Sequence, residues 1–268
     1  SAHHDSNTSA SGVPIEAQIM QSNPLMEAFG NAKTLRNDNS SRFGKFIQLY
    51  FDVNHKIIGC AIENYLLEKS RICFQQTKER NYHIFYYLTT QLSDAEKAKL
   101  LLGDATEYHY TNQSDTYTGS SHDDEDEFSG ARKDFEELGF SEEKISHIFE
   151  ITAAVLHMGN AEFDSDGNTG SHVSSSTKKH VANAAKLLGV SAEDLEKVLT
   201  GNVNVLSSGE KIPVTFNPAG AVAARDALAK GIYGACLLQC AELLRGVAAN
   251  GFQCTLLRCV ACALRAIV

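Results

Sequence analysis

The sequence predicts a mixed helix-and-strand protein that is dominated by helices and carries two β-hairpins. Three observations lead there. Residues 46–51 and 57–62 are two aromatic and β-branched runs separated by the turn residues Asp52-Val53-Asn54-His55. Residues 203–216 repeat that pattern around a turn at Ser207-Ser208-Gly209. Behind Ser141, the residues Ile145, Ile148, Phe149, Thr152, Val155 and Leu156 recur at three-to-four spacing, as one buried face of a helix does. With 268 residues and 43% hydrophobic content the chain can bury a substantial core.

The elements follow in chain order. Residues 1–14 are rich in Ser, His, Asn and Asp without apolar period and read as a mobile, loop-like segment. Asn23-Pro24 predicts the start of a short helix over 24–29, because proline fits a first helical turn, and Gly30 closes it. The first hairpin follows a polar loop. Residues 71–76 read as strand, and 81–92, with Tyr82, Phe85, Tyr86 and Leu88, as a buried helix. Ser141 with Glu142 and Glu143 opens the long helix that Gly159 ends. Residues 164–176 are polar and read as a surface loop, Ser191-Ala192-Glu193-Asp194 opens a further helix, and Asn217-Pro218 caps the last one. After Leu244 the character changes, so 15–244 reads as one body and 245–268 as a divergent Cys-rich tail.

A net charge of -9, with the acid concentrated in Asp123-Asp124-Glu125-Asp126-Glu127, repels a phosphate backbone and argues against nucleic acid as a partner. No run of about 18 uncharged apolar residues predicts a membrane span. Seven cysteines, an odd number in apolar surroundings with no signal peptide ahead, fit reduced thiols in a cytoplasmic protein. A first residue other than Met suggests a processed chain or a piece of a longer one.

The chemistry is concentrated in Asn37-Asp38-Asn39-Ser40-Ser41-Arg42-Phe43-Gly44-Lys45-Phe46. Two hydroxyls, two amides and a fixed cation share one short loop. A hydroxyl oxygen is a hard ligand suited to Mg²⁺, and amide or guanidinium donors suit phosphate oxygens. Asn, Asp and Ser are also ordinary turn formers, so composition alone leaves a ligand-free turn open. The order of residues narrows the choice. Together with the preceding Gln21-Ser22-Asn23-Pro24-Leu25-Met26-Glu27-Ala28-Phe29-Gly30-Asn31-Ala32-Lys33-Thr34, the loop resembles the switch I region of a myosin motor head. Kinesins share the Ser-Ser-Arg core but continue with Ser-His where this chain has Phe43-Gly44. Glu79-Arg80-Asn81-Tyr82-His83-Ile84-Phe85-Tyr86, the stretch 151–163 and Arg225-Asp226-Ala227-Leu228-Ala229-Lys230 extend the resemblance over residues 15–244.

The resemblance implies a helix-dominated piece of a P-loop NTPase-type α/β fold, mainly the upper middle subdomain of the head, and a part in actin-activated ATP hydrolysis coupled to movement. It implies ATP and Mg²⁺ as cofactors and actin as partner, in the cytoskeleton, with light chains engaged only through a lever arm that these residues do not include. By the same resemblance Asn37 hydrogen-bonds the phosphates and Ser41 supplies the Mg²⁺ hydroxyl. Ser40 faces the γ-phosphate and its attacking water, and Arg42 pairs with a glutamate of switch II, as positioning and charge stabilisation in phosphoryl transfer require. Residues 203–216 correspond to the actin-contacting hairpin loop. There Glu210, sixteen residues before Asp226, supplies a fixed acid where many relatives carry an acidic or phosphorylatable residue.

Two parts of such a site are absent from these residues. No Gly-x-x-x-x-Gly-Lys-Ser/Thr phosphate cradle is present, since Gly44-Lys45 is followed by Phe46. The Asp-x-x-Gly of switch II is matched only by Asp164-Ser165-Asp166-Gly167, inside a polar stretch. The expectation is therefore a segment that does not hydrolyse ATP alone. The alternatives are a non-catalytic actin-binding or scaffold piece and a different switch-bearing nucleotidase.

The remaining motifs are weaker. Asp164, Asp166 and Asn168 imitate a calcium loop, but Thr169 stands at its glycine position and Ser175 at its glutamate position. Cys254, Cys259 and Cys262 have plant-type iron–sulfur spacing, yet Leu, Arg and Val between them suit buried thiols better. His83, His147 and His157 lie in apolar helical context and read as packing residues.

Overall fold

A computed structural model of the chain describes residues 15–119, 123–205, 207 and 209–245. The loop-like segment expected over 1–14 and most of the Cys-rich tail lie outside them. Helices dominate, and among the described residues the strands form four separate antiparallel pairs.

Helix α1 runs from Ile15 to Gly30 with Pro24 in its interior, not at its start. The expected cap at Asn23 is therefore not one. Asn23 Oδ1 instead accepts a hydrogen bond from Lys45 Nζ. Leu25, Met26, Ala28 and Phe29 are buried behind the proline, and this burial of the second half outweighs the lost backbone hydrogen bond.

Strands β1 (Asn31–Ala32) and β2 (Ser40–Ser41) pair across the polar loop. The first hairpin is as expected, with β3 (Gly44–Phe51) against β4 (Ile57–Tyr65) and an irregularity between Tyr50 and Phe51. Residues 71–76 are not strand. Lys69–Ile72 is a 3₁₀ turn, where Arg71 is buried and uses its side chain to reach carboxylate and backbone. The aromatic stretch is helical and buried, as α2 (His83–Tyr86) running into a wider π-type turn over Tyr87–Gln91.

Helices α3 (Asp94–Lys99) and α4 (Asp124–Glu137) precede α5 (Glu142–Gly159), whose N-cap Ser141 accepts from the Lys144 N–H. From Ile151 to Gly159 every residue of α5 is buried, so this helix forms the centre of the core. It packs on α6 (Lys178–Leu188) and on α8 (Pro218–Arg245). The polar stretch expected to be a loop is a small hairpin, β5 (Phe163–Ser165) with β6 (Ser171–Val173). Phe163 and Val173 are buried and face each other across it, which polarity elsewhere in the stretch had masked. Helix α7 (Ala192–Thr200) starts at its Ser191 cap. Strands β7 (Gly201–Val205) and β8 (Lys211–Thr215) form the second expected hairpin. Near its turn Gly209 has φ of 84°, a conformation that favours glycine. The Asn217 side chain then caps α8 by accepting from the Gly220 N–H. The two hairpins expected are thus joined by a third and by the short β1–β2 pair.

Candidate functional site

The polar loop is fixed at both ends before any ligand chemistry is considered. Pairing of Asn31 with Ser41 and of Ala32 with Ser40 brings its stems together, and Ala32 also bridges Tyr82. Within it, the Thr34 N–H donates to the Asn37 carbonyl at 2.8 Å and the Asn39 N–H donates to Asn37 Oδ1 at 2.9 Å. Lys33 pairs with Asp38. At the root of the loop the Phe43 ring lies against the Gly30 backbone, where a Cβ would fall 2.2 Å from a ring carbon.

Asn39 ties the loop to the core. Its Oδ1 accepts from Asn31 Nδ2 at 2.9 Å and lies 3.1 Å from His83 Nε2, which therefore carries the proton. Its Nδ2 donates to Glu27 at 3.1 Å. Asn31 and His83 are both buried, so these bonds satisfy groups that water cannot reach.

Asn37 and Ser41 are exposed on the other side, and Ser40 is half-buried. The Ser41 hydroxyl donates to the Phe43 carbonyl at 3.1 Å, which leaves its oxygen lone pairs for a cation. The Asn37 oxygen is used within the loop, whereas its amide nitrogen makes no hydrogen bond to the described residues. Ser40 Oγ accepts from Arg42 Nη1 at 3.3 Å. A hydroxyl oxygen, a hydroxyl donor and an amide donor within five residues of one loop are a donor set of the kind that suits a phosphate with its Mg²⁺.

Arg42 has a carboxylate partner inside this chain, which the sequence reading did not identify. Its Nε donates to Glu68 Oε2 at 2.7 Å. The same oxygen accepts from Arg71 Nε at 2.8 Å, and Arg71 Nη1 reaches Glu79 Oε2 at 2.9 Å and the Arg80 carbonyl at 3.0 Å. Burial alone would raise the Glu68 pKa, but hydrogen bonds and charge from Arg42 and Arg71 outweigh it and hold the carboxyl below its ordinary value. Glu-Lys-Ser-Arg at 68–71, an acid and a base one 3₁₀ turn apart behind a strand, was the available signal.

Glu210 is exposed beside the turn of the β7–β8 hairpin, on an element separate from the loop that carries Asn37, Ser40, Ser41 and Arg42. The Arg225-Asp226 pair works inside the fold. Arg225 Nη1 donates to the carbonyls of Gly159 and Ala161, at 3.0 and 2.9 Å, and Asp226 Oδ1 accepts from the Tyr110 hydroxyl at 2.7 Å. The calcium-like stretch is spent on its own turn, with Asp166 Oδ1 accepting from the Asn168 and Gly170 N–H groups. Among the described residues no three His, Cys, Asp or Glu side chains are grouped to hold a metal ion. No described helix is long and apolar enough to cross a membrane. Cys254, Cys259 and Cys262 lie outside the described residues.

The fold is helix-rich with small antiparallel strand pairs, and it carries an Asn-x-x-Ser-Ser-Arg loop tied to the core. Comparison with known proteins gives the family. Residues 1–240 match the myosin head (motor domain). The chain is 44% identical over 224 residues to Myosin-17 of Arabidopsis thaliana, covering 83% of this chain and 14% of that relative. It is 43% identical over 221 residues to unconventional myosin heavy chain 6 of Caenorhabditis elegans, and 43% identical over 223 residues to Myosin-VIIa of Drosophila melanogaster. Each of these two alignments covers 82% of this chain and 10% of the relative. The chain belongs to the myosin motor head family. Members of that family are actin-based motors that use nucleotide and Mg²⁺.

Proposed function

We propose that this chain is the switch I and upper middle portion of an actin-activated ATPase motor, and that it does not hydrolyse ATP alone. The observation that carries this is the division of labour within one loop. Asn39 and Arg42 face the body and are tied to it, while Asn37, Ser40 and Ser41 keep hydrogen-bonding capacity toward solvent. In this reading Asn37 donates to the phosphates of ATP, Ser41 offers its oxygen to Mg²⁺, and Ser40 orients the attacking water. The bound Mg²⁺ supplies charge neutralisation at the transferring phosphoryl group. Arg42 contributes a fixed cation that closes the site. The same reading puts the protein in the cytoplasmic actin cytoskeleton, with light chains bound outside these residues.

The test is Mg-nucleotide binding followed by fluorescence of a labelled ATP. The 268-residue chain is expected not to saturate at millimolar nucleotide, and the full-length protein to bind and hydrolyse it with stimulation by actin. Ser41→Ala in the full-length protein should lower kcat by about 10²-fold or more, the scale of losing one fixed charge-stabilising contact. Tight binding by the isolated chain would refute the incomplete site.

A second reading concerns the β7–β8 hairpin as an actin contact. Glu210 stands exposed beside the turn, so a permanent charge there sets actin affinity without phosphorylation. Glu210→Ala in the full-length protein should change actin activation. An unchanged value would count against this contact.

A further inference from the structure

Glu68 is half-buried and is held through its backbone and its carboxylate. Leu66 takes a left-handed backbone, φ 57°, and turns the chain back toward the loop. Such a conformation costs a branched side chain energy and persists where its surroundings demand it. The Glu68 N–H then donates to the Arg42 carbonyl at 2.9 Å, and the Glu68 carbonyl accepts from the Tyr82 hydroxyl at 2.9 Å. Tyr82 is buried and stacks on Tyr233, with ring centroids 5.2 Å apart. The carboxylate meets Arg42 on one side and Arg71 on the other, and Arg71 is anchored by buried Glu79.

The geometry of Arg42 gives this grip a use. Arg42 meets Glu68 through Nε and Ser40 through Nη1, and Nη2 makes no hydrogen bond to the described residues. A guanidinium held at Nε keeps its Nη edge for a second acceptor. We propose that Glu68 is the positioning residue for Arg42: with Arg71 and Glu79 behind it, it fixes the guanidinium plane so that the Nη edge is presented to an incoming carboxylate or phosphate oxyanion. Arg42 is thus preorganised by an acid of its own chain before any second acceptor arrives, and ordering a long cation does not have to be done during closure. The inference rests on the proposed nucleotide site for its catalytic consequence, though not for the positioning itself.

Two measurements separate these. In the 268-residue chain, solvent exchange of the Arg42 Nε–H is followed by nitrogen-15 NMR. Glu68→Gln should speed it by about ten-fold or more with an unchanged circular dichroism spectrum, and Glu68→Asp should restore part of the protection. Unchanged exchange in Glu68→Gln overturns the proposal whatever the activity. In the full-length protein, Glu68→Gln should lower kcat by about ten-fold while the nucleotide KM stays within about two-fold. Equal kcat, in a protein whose Arg42→Ala variant has lost hydrolysis, also overturns it. If Arg42→Ala hydrolyses normally, the nucleotide reading fails, and the exchange result alone decides the role of Glu68.

Discussion

His157 shows how a single buried side chain makes the fold sensitive to acid. Its Nδ1 lies 3.2 Å from Nδ1 of His180, and Tyr108 meets its ring edge-on. Burial, and then the neighbouring His180, push its pKa down to about 4, against a weaker pull from the Leu100 and Leu101 carbonyls. The unfolded chain, with the ordinary value near 6.5, therefore takes up the proton first as pH falls. Stability present above about pH 6.5 drains away between there and about pH 4, by roughly 3 kcal/mol. Glu68 acts in the same sense at lower pH, since its depressed carboxyl adds stability above the ordinary carboxylate pKa that is lost as pH falls through its folded value. Urea melts at pH 7.0, 5.5 and 4.5 check this, and His157→Asn should flatten the upper part of the profile. Asn39 gives a second residue-scale expectation. Asn39→Ala leaves Asn31 Nδ2 and His83 Nε2 without their amide partner and should cost about 2–4 kcal/mol, read as a lower thermal midpoint.

The elements divide by whether local chemistry or distant packing decides them. Ser141, Ser191 and Asn217 cap the helices that their positions foretold, because a cap is settled within three residues. Asn217→Ala should accordingly cost about 1 kcal/mol in a denaturant melt. Asn23-Pro24 carries the same local signal and is overruled, since the core takes Leu25, Met26 and Phe29 from a helix that continues through it. The candidate site follows the same logic. Asn37, Ser40, Ser41 and Arg42 could be put forward from the sequence because they lie within six residues of one another. Glu68 and His83 could not, because pairing of β1 with β2 and the turn at Leu66 bring them in from 26 and 44 residues away. Gly30→Ala tests the root of the loop. Its Cβ would collide with the Phe43 ring, so the variant should shift the amide resonances of residues 37–43 while α5 stays unperturbed.

For the whole molecule the β3–β4 hairpin is the exposed apolar element. Ile47 faces the buried Ile62 on its inner side, while Phe46, Tyr50, Phe51, Ile58 and Tyr65 are each about half exposed. Its two strands pair only with each other among the described residues, which leaves open edges beside apolar side chains. Self-association of the 268-residue chain on concentration is expected, and Phe46→Lys with Phe51→Lys should suppress it in sedimentation velocity. A monomer with a sharp thermal transition at high concentration would overturn that. Helix α8 gives the molecule its axis. Over 28 residues, about 42 Å, it starts just after β8 and packs along α5, α7 and β4. Arg225 and Asp226, two turns into the helix, bond to Gly159, Ala161 and Tyr110, and the Tyr233 hydroxyl, two turns further on, donates to the Phe29 carbonyl at 2.8 Å. Phe29 is the last residue but one before the loop strand. One helix thus ties the element that follows β8 to the residues that lead into the Asn37 loop, and Tyr233→Phe, which removes the bond to Phe29, is expected to shift the amide resonances of residues 29–32.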